Sequence, residues 1–394
     1  MSFHYLLIII IIFTIFKWNK SKNIFDLSII FNFISLLYFY LGLNIYALLF
    51  GLSNLVTQLS YDAFFCIISF NICYNLVKEK NILIKQKYWL PDIKLIFFFF
   101  IFSALLELLS IIGRGGLIGR VEAFSYLYEN KYLFLNKSIQ FILYYIISYK
   151  FYVFKGNNKI FYITTCILFL FGIIHISRAD LFNLIFINLY FINLTKTITP
   201  KKIISYSLIL LIIFIGLKPI LYSILLDQNY GNDSVNYSEL INWVRNSVTA
   251  INSNVNYPYN SYLVTLEGVI NPIISNKKPL TNWYMDEFFQ YEYLSGARYG
   301  FSGIAEGYMN GSRIYNIIAF GVFGLLFKKA NNLPQNIFGI FLRISIILIM
   351  YKLFRSESYN FFRTITYMHI IPFLVIYILS SYLGKTYSII KKLN

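Results

Sequence analysis

The chain has 394 residues, 58% hydrophobic and 20% aromatic but only 13% charged, with a mean hydropathy of +0.62. Soluble domains carry about 25% charged residues, so a soluble globular protein is excluded. The net charge of +17 must be read by side of a membrane rather than as a nucleic-acid footprint.

Apolar runs near the length of about 20 residues that spans a bilayer core recur from end to end. In chain order they predict eleven transmembrane helices, at 3–16, 25–50, 57–77, 93–112, 138–154, 160–176, 181–198, 203–226, 304–327, 337–354 and 364–383. The fold class is therefore an all-α polytopic integral membrane protein. Residues 3–16 lack a basic leader and a small-residue cleavage site, and read as a retained span. Cys66, Cys73 and Cys166 all lie in predicted spans, so neither a disulfide framework nor a CxxC metal site is implied.

Cytoplasmic loops are enriched in Lys and Arg. KWNKSK (17–22) carries three Lys and the next connection, 51–60, none. KEKNILIKQK with Lys94 carries five, the stretch around Lys150, Lys155 and Lys159 three, TKTITPKK three, Lys328–Lys329 two and the C-terminus three. With the N-terminus outside, all of these fall inside, provided that the apolar run 160–194 is two spans joined by an outer turn at SRAD (177–180). Taken as one helix it would bury Arg178 and Asp180 at mid-membrane, where a charge costs about 2.5–3.5 kcal/mol even on the lenient insertion scale.

The same topology sorts the cations by type. Of 25 Lys, 19 fall on the inner side, whereas none of the nine Arg lies in an inner loop. Arg114, Arg120, Arg178, Arg245, Arg298, Arg313, Arg355 and Arg363 sit in outer loops or at outer span ends, and Arg343 lies within a helix. A composition that uses Lys by default explains why Arg is rare, not why the few share a side. The planar guanidinium fork suits phosphate or carboxylate, so the pattern points to an anionic ligand at the outer leaflet, with scattered loop salt bridges as the alternative.

Three regions follow: an N-terminal bundle (1–226), a long outer loop (227–303) and a C-terminal set of spans (304–394). In the loop, SELINWVRNSVTAINSNV places Leu240, Val244, Val248, Ile251 and Val255 at helical spacing, and LVTLEGVINPII repeats the theme up to Pro272. These predict short amphipathic helices at the membrane surface. Loop aromatics (Trp243, Tyr257, Tyr259, Tyr262, Trp283, Tyr284, Tyr291, Tyr293) would suit sugar faces, although aromatics also collect at any membrane interface.

Ionisable groups inside the membrane are functional candidates. Glu306 shares a helix face with Asn310 and is either a general base under an outer cavity or the structural partner of an Arg. His175 lies three residues before Arg178, and His369 lies below Arg363. A lone membrane His is more often a helix–helix hydrogen-bond donor than a catalyst. Glu107 is placed to pair with a buried base or polar group. No P-loop, DxD pair, HExxH or GxSxG occurs, so no cofactor and no metal is predicted, and fixed guanidinium groups would stabilise a leaving anion.

Four stretches resemble the bacterial O-antigen, or oligosaccharide repeat-unit, polymerase family: IIGRGGLIGRVEAF (111–124), HISRADLF (175–182), the long outer loop, and GIAEGYMNGSRIYNIIAFGVFGLL (303–326). Where the family often has Gly-Ser-Arg-Gly at the tight turn, this chain has Ile-Ser-Arg-Ala-Asp, so only Arg178 carries over. The resemblance implies a C-type glycosyltransferase-like enzyme of the inner membrane, active at the periplasmic face. It would join undecaprenyl-pyrophosphate-linked oligosaccharide units, with membrane lipid, and a chain-length regulator protein as a further partner. Arg114, Arg120, Arg178, Arg298, Arg313, Arg355 and Arg363 would bind pyrophosphate, and Glu306, His175 or His369 would take the acceptor proton. A ligase that moves finished glycan, or a lipid-linked oligosaccharide flippase, are the rival readings. Replacement of Arg178 by Lys is expected to shorten the surface glycan while membrane insertion stays normal; normal chain length on a glycan gel would refute the role.

Overall fold

The computed structural model describes residues 3–79, 92–113, 131–175, 178–195, 237–253, 255–270, 277–290, 302–380 and 382. The helices are α1 (His4–Ser21), α2 (Leu27–Phe50), α3 (Asn54–Leu76), α4 (Ile93–Gly113), α5 (Lys131–Phe154), α6 (Asn158–Ile174) and α7 (Arg178–Thr195). They continue as α8 (Tyr237–Asn252), α9 (Ser261–Ile270), α10 (Leu280–Phe288), α11 (Gly303–Met309), α12 (Arg313–Asn331), α13 (Ile337–Ile349), α14 (Lys352–Arg355) and α15 (Ser358–Ser380). No strand occurs among the described residues. Among the described residues, six stretches are long and apolar enough to cross a membrane: α1, α2, α3, α4, Ile337–Arg355 and α15. That is fewer than the eleven expected. The predicted span 203–226 lies outside the described residues, and α6 at 17 residues is short for a bilayer core.

Contacts divide the chain into two compact units. The first comprises Met1–Lys85 and Ser234–Thr366. Its helices start where a polar side chain covers exposed amides. Asp26 accepts from the Ser28 amide at 3.0 Å, Ser53 from Val56 at 3.2 Å and Asn336 from Gly339 at 2.7 Å. Gly51, at φ +86°, turns the chain between α2 and α3 in a conformation that side chains resist. Helix α12 lies so close to α3 that a Cβ on Gly324 would come within 2.3 Å of the Phe70 carbonyl. Phe31 stacks on Phe70 with centroids 3.5 Å apart, and Phe70 meets Phe327 edge-on at 5.7 Å.

One end of this unit gathers charge. Lys17 and Lys328 are buried, share Glu79 at 2.5 and 3.1 Å, and both face the Tyr74 ring. Asp26 adds a 3.4 Å contact to Lys17 and accepts from the Tyr74 hydroxyl at 2.9 Å. Lys17, Glu79 and Lys328 come from three connections that the lysine count assigns to one side, so the packing agrees with that alternation.

The expected continuous span 304–327 is broken. Helix α11 ends at Met309, Gly311 takes φ +88°, and Ser312 starts α12 by accepting from the Ile314 amide at 3.2 Å. Asn316 holds the bend by accepting from Gly307 N–H at 2.8 Å and donating to the Ile304 carbonyl at 2.5 Å. Helices α8, α9 and α10 form where the long loop was expected. Helix α8 turns its apolar face onto α2. It buries Trp243 completely, and the indole N–H donates to the Tyr38 carbonyl of α2 at 3.1 Å. Gly42 permits that approach, since a Cβ there would sit 2.5 Å from the Leu240 carbonyl. Helix α9 keeps the expected apolar stripe exposed at Leu263, Leu266 and Ile270.

The second unit comprises Gln86–Asp233 and Tyr367–Asn394. Its centre is α5, where Ile142 to Tyr149 are all buried, packed against α4 and α7. Residues 160–194 form two helices, as the charge alternation required. Helix α6 ends at Ile174 and α7 begins at Arg178, and Gly172 lets Leu181 approach to 2.6 Å of where a Cβ would stand.

A Gly324→Leu substitution is expected to destabilise the α3–α12 contact by about 1–3 kcal/mol, read as a lower melting temperature of the detergent-solubilised protein. An unchanged melt would refute that packing.

Candidate functional site

Glu306 lies in the first turn of α11 and is 1% exposed. An ionised carboxylate in such a place needs donors. Oε1 accepts from the hydroxyls of Ser261 and Ser358, both at 2.7 Å, and Oε2 accepts from the Ser358 amide at 2.9 Å. Asn310, one turn on, donates to Ser261 Oγ and to the Glu306 carbonyl, both at 2.7 Å, and accepts from the Ser261 amide at 2.8 Å. The shared face of Glu306 and Asn310 is as expected, but it meets protein rather than an open cavity. Oε1 takes two donors and Oε2 one, so Oε2 keeps an acceptor position beyond these bonds. The carboxylate is a joint between α9, α11 and α15, and its partners are serines rather than an Arg.

Glu357 precedes Ser358, is equally buried, and accepts from the Thr281 amide at 3.1 Å at the start of α10. Burial, with the Glu306 charge adding to it, lifts the Glu357 carboxyl to about 8. Burial also raises Glu306, while the Ser261 and Ser358 donors pull it back.

The candidate arginines do different things. Arg313 donates from Nε and one terminal nitrogen to Asp62, at 2.9 and 2.5 Å, and the Tyr308 hydroxyl donates to the same carboxylate. Arg355 ends α14, and exposed Arg363 lies over the ring of Tyr359, 5.8 Å from its centroid. Arg178 opens α7, with its side chain outside the described residues, as are Arg114, Arg120 and Arg298 altogether. In the second unit His175 Nε2 meets Glu107 Oε1 at 2.7 Å, so Glu107 pairs with a buried base as expected. Both line a cavity of about 60 Å³ with Lys137, Gln140 and Asp180, room for a few water molecules. His369 meets the Phe141 ring edge-on at 5.1 Å.

The aromatics of the long connection mostly pack on one another. Tyr257 meets Trp283 at 5.3 Å, Tyr284 meets Phe288 at 4.9 Å, and Trp243, Tyr257 and Tyr284 are buried. Tyr259 is 45% exposed, with the Lys277 ammonium over its ring 5.6 Å from the centroid; Tyr291 and Tyr293 lie outside the described residues.

Residues 217–386 match the family model of the O-antigen polysaccharide polymerase Wzy. Over these 170 of the 394 residues the chain is similar to the O-antigen polymerase family. The match spans α8 to α15 and so includes Glu306, Arg313, Arg355, Glu357 and Arg363. Neither a curated protein nor a solved structure matches the chain.

Sequence reasoning passed over Asp62, Ser261, Ser358 and Lys352. Asp62 carried a usable signal, an acid within an apolar span. The serines carried none, because a hydroxyl is unremarkable until a carboxylate is packed against it.

The raised Glu357 carboxyl has a signed consequence. Its folded value lies above that of an unfolded Glu, about 4.3, so its stabilising contribution is full below that range and is lost as pH rises through about 8. Glu357→Gln keeps the acceptor for Thr281 without the titration. The melting temperature of the variant minus that of wild type is expected to grow from pH 5 to pH 8 and then level; a pH-independent difference would refute the assignment.

Proposed function

We propose that the enzyme joins oligosaccharide repeat units carried on undecaprenyl pyrophosphate at the periplasmic face of the inner membrane. A sugar hydroxyl of one lipid-linked unit attacks the anomeric carbon of the growing glycan. The new C–O bond forms as the bond to the lipid pyrophosphate breaks, and the lipid pyrophosphate departs with the bonding electrons. The observation that carries this reading is the family match over the segment that holds the Arg355–Arg363 hairpin. Guanidinium forks there suit a pyrophosphate whose charge grows as it leaves, and Arg178, Arg114, Arg120 and Arg298 would contribute from their own segments. Arg313 stands apart, since Asp62 already takes its fork.

Of the candidates for the acceptor proton, His175 has the geometry that fits best. Glu107 faces the imidazole at 2.7 Å, the position from which a carboxylate orients a histidine base. Glu306 is left as the joint of the first unit. Deletion of the chain is expected to leave surface lipopolysaccharide with a single repeat unit. Unaltered long chains would refute the assignment, and loss of all repeat units would favour the ligase or flippase. His175→Ala in an otherwise intact protein is expected to slow polymer formation by about 10²–10⁴-fold; a normal rate would remove it from the chemistry.

A further inference from the structure

The hairpin between α14 and α15 holds a cation that a count of arginines misses. Lys352 lies three residues before Arg355 on α14, and its ammonium donates to the Thr364 hydroxyl at 2.7 Å. Thr364 in turn donates to the Asn360 carbonyl at 2.7 Å, which fixes where the hydroxyl points. The charges of Arg355 and Arg363 both act repulsively on Lys352. Neither Lys352 nor Arg363 pairs with a carboxylate among the described residues. The only acid in the segment 352–363 is Glu357, and it is buried against Thr281.

The same unit shows how this protein treats a lysine that has no ligand to meet. Lys17 and Lys328, drawn into the fold at the opposite ends of α1 and α12 from His4 and Arg313, share Glu79, and Lys17 also has Asp26. Among the described residues Lys352 receives a neutral hydroxyl, and the like charges of Arg355 and Arg363 act on it. Converging like charges oppose folding unless an anion supplies the missing charge. Arg363 is also held in place. Tyr359 stands one helical turn before it, with the guanidinium 5.8 Å from the ring centroid. Helix α9 presses on the same ring at Gly268, where a Cβ would come within 2.3 Å of ring carbon Cε2.

We infer that Lys352 and Arg363 form a cradle for a pyrophosphate or phosphate-ester anion, with Tyr359 as the positioning residue that α9 sets against Arg363. The identity of the anion as the pyrophosphate of the lipid carrier rests on the function proposed above. The cradle itself rests on charge and geometry. It makes Lys352 a ligand contact, and it ties the long connection between the spans to the anion through a ring rather than through a charge.

The test is binding to the purified full-length protein in detergent, by calorimetry, with farnesyl pyrophosphate, inorganic pyrophosphate and farnesol as probes. Wild type is expected to bind farnesyl pyrophosphate and not farnesol. Lys352→Gln is expected to weaken binding about tenfold, the size of one lost charge-assisted hydrogen bond, while Lys352→Arg restores most of it. Tyr359→Phe, which keeps the ring, is expected to bind like wild type and Tyr359→Leu more weakly. Comparable binding of inorganic pyrophosphate would support the cradle and assign it the soluble anion. Wild-type affinity in Lys352→Gln, or equal binding of farnesol, would overturn it, with thermal melts of both Lys352 variants establishing that they fold. If Lys352→Gln loses binding while deletion of the chain leaves long glycan, the cradle stands and the polymerase proposal falls. If deletion leaves single-repeat glycan while Lys352→Gln binds fully, the polymerase proposal stands and the cradle falls.

Discussion

A carboxylate with almost no access to water must find donors, and Glu306 finds three, from the Ser261 and Ser358 hydroxyls and the Ser358 amide. Those donors belong to different parts of the chain. Ser261 begins α9 in the long connection, Ser358 begins the last apolar helix, and Glu306 itself lies in the short helix after the connection. Removing any partner would leave buried polar groups unpaired at about 1–3 kcal/mol each, so the carboxylate fixes the three elements against one another. Glu357, one residue before Ser358, does the same for α10 by covering its exposed Thr281 amide. Two consecutive residues, Glu357 and Ser358, thus hold two helices of the connection.

Electrostatics divide the first unit into regions with different tasks. Around Glu79, both buried lysines have an anion, and the Tyr74 ring faces each of them. Such a satisfied network holds connections together and leaves little for a ligand to do. Around Lys352 and Arg363 the partners are a hydroxyl and an aromatic face. Arg313 shows the intermediate case. Asp62 takes two of its donors, yet the side chain remains 46% exposed, so its charge is positioned and largely neutralised. An arginine count treats these sites as equivalent, and their surroundings make them different.

The second unit contributes a different kind of chemistry. His175 and Glu107 meet at 2.7 Å beside a cavity that also has Lys137 and Asp180 on its wall. The histidine comes from the end of α6 and the carboxylate from within α4. The pairing is thus made by helix packing across more than sixty residues of sequence, and the apolar surroundings strengthen it relative to water.

The helical membrane class and the two helices within residues 160–194 were legible in the sequence. Long apolar runs have few workable backbone arrangements in lipid, the helix first among them, and lysine placement records the side of each connection. Glu107 was likewise readable as a carboxylate that would seek a base, because an isolated charge in a span cannot go unpaired. The role of Glu306 was not legible. Local spacing put it on a face with Asn310, but whether that face met water or two serines depended on segments some 45 and 52 residues away. The break at Gly311 had a local signal in Asn310-Gly311-Ser312, but Asn316, which holds the bend, acts only once it reaches back to Gly307. Lys352 went unnoticed for the same reason: its meaning lies in Thr364 and Arg363. Hydropathy and charge are properties of single positions and survive in one dimension. Satisfaction of a buried polar group is a property of pairs distant in sequence, and only the tertiary structure decides it.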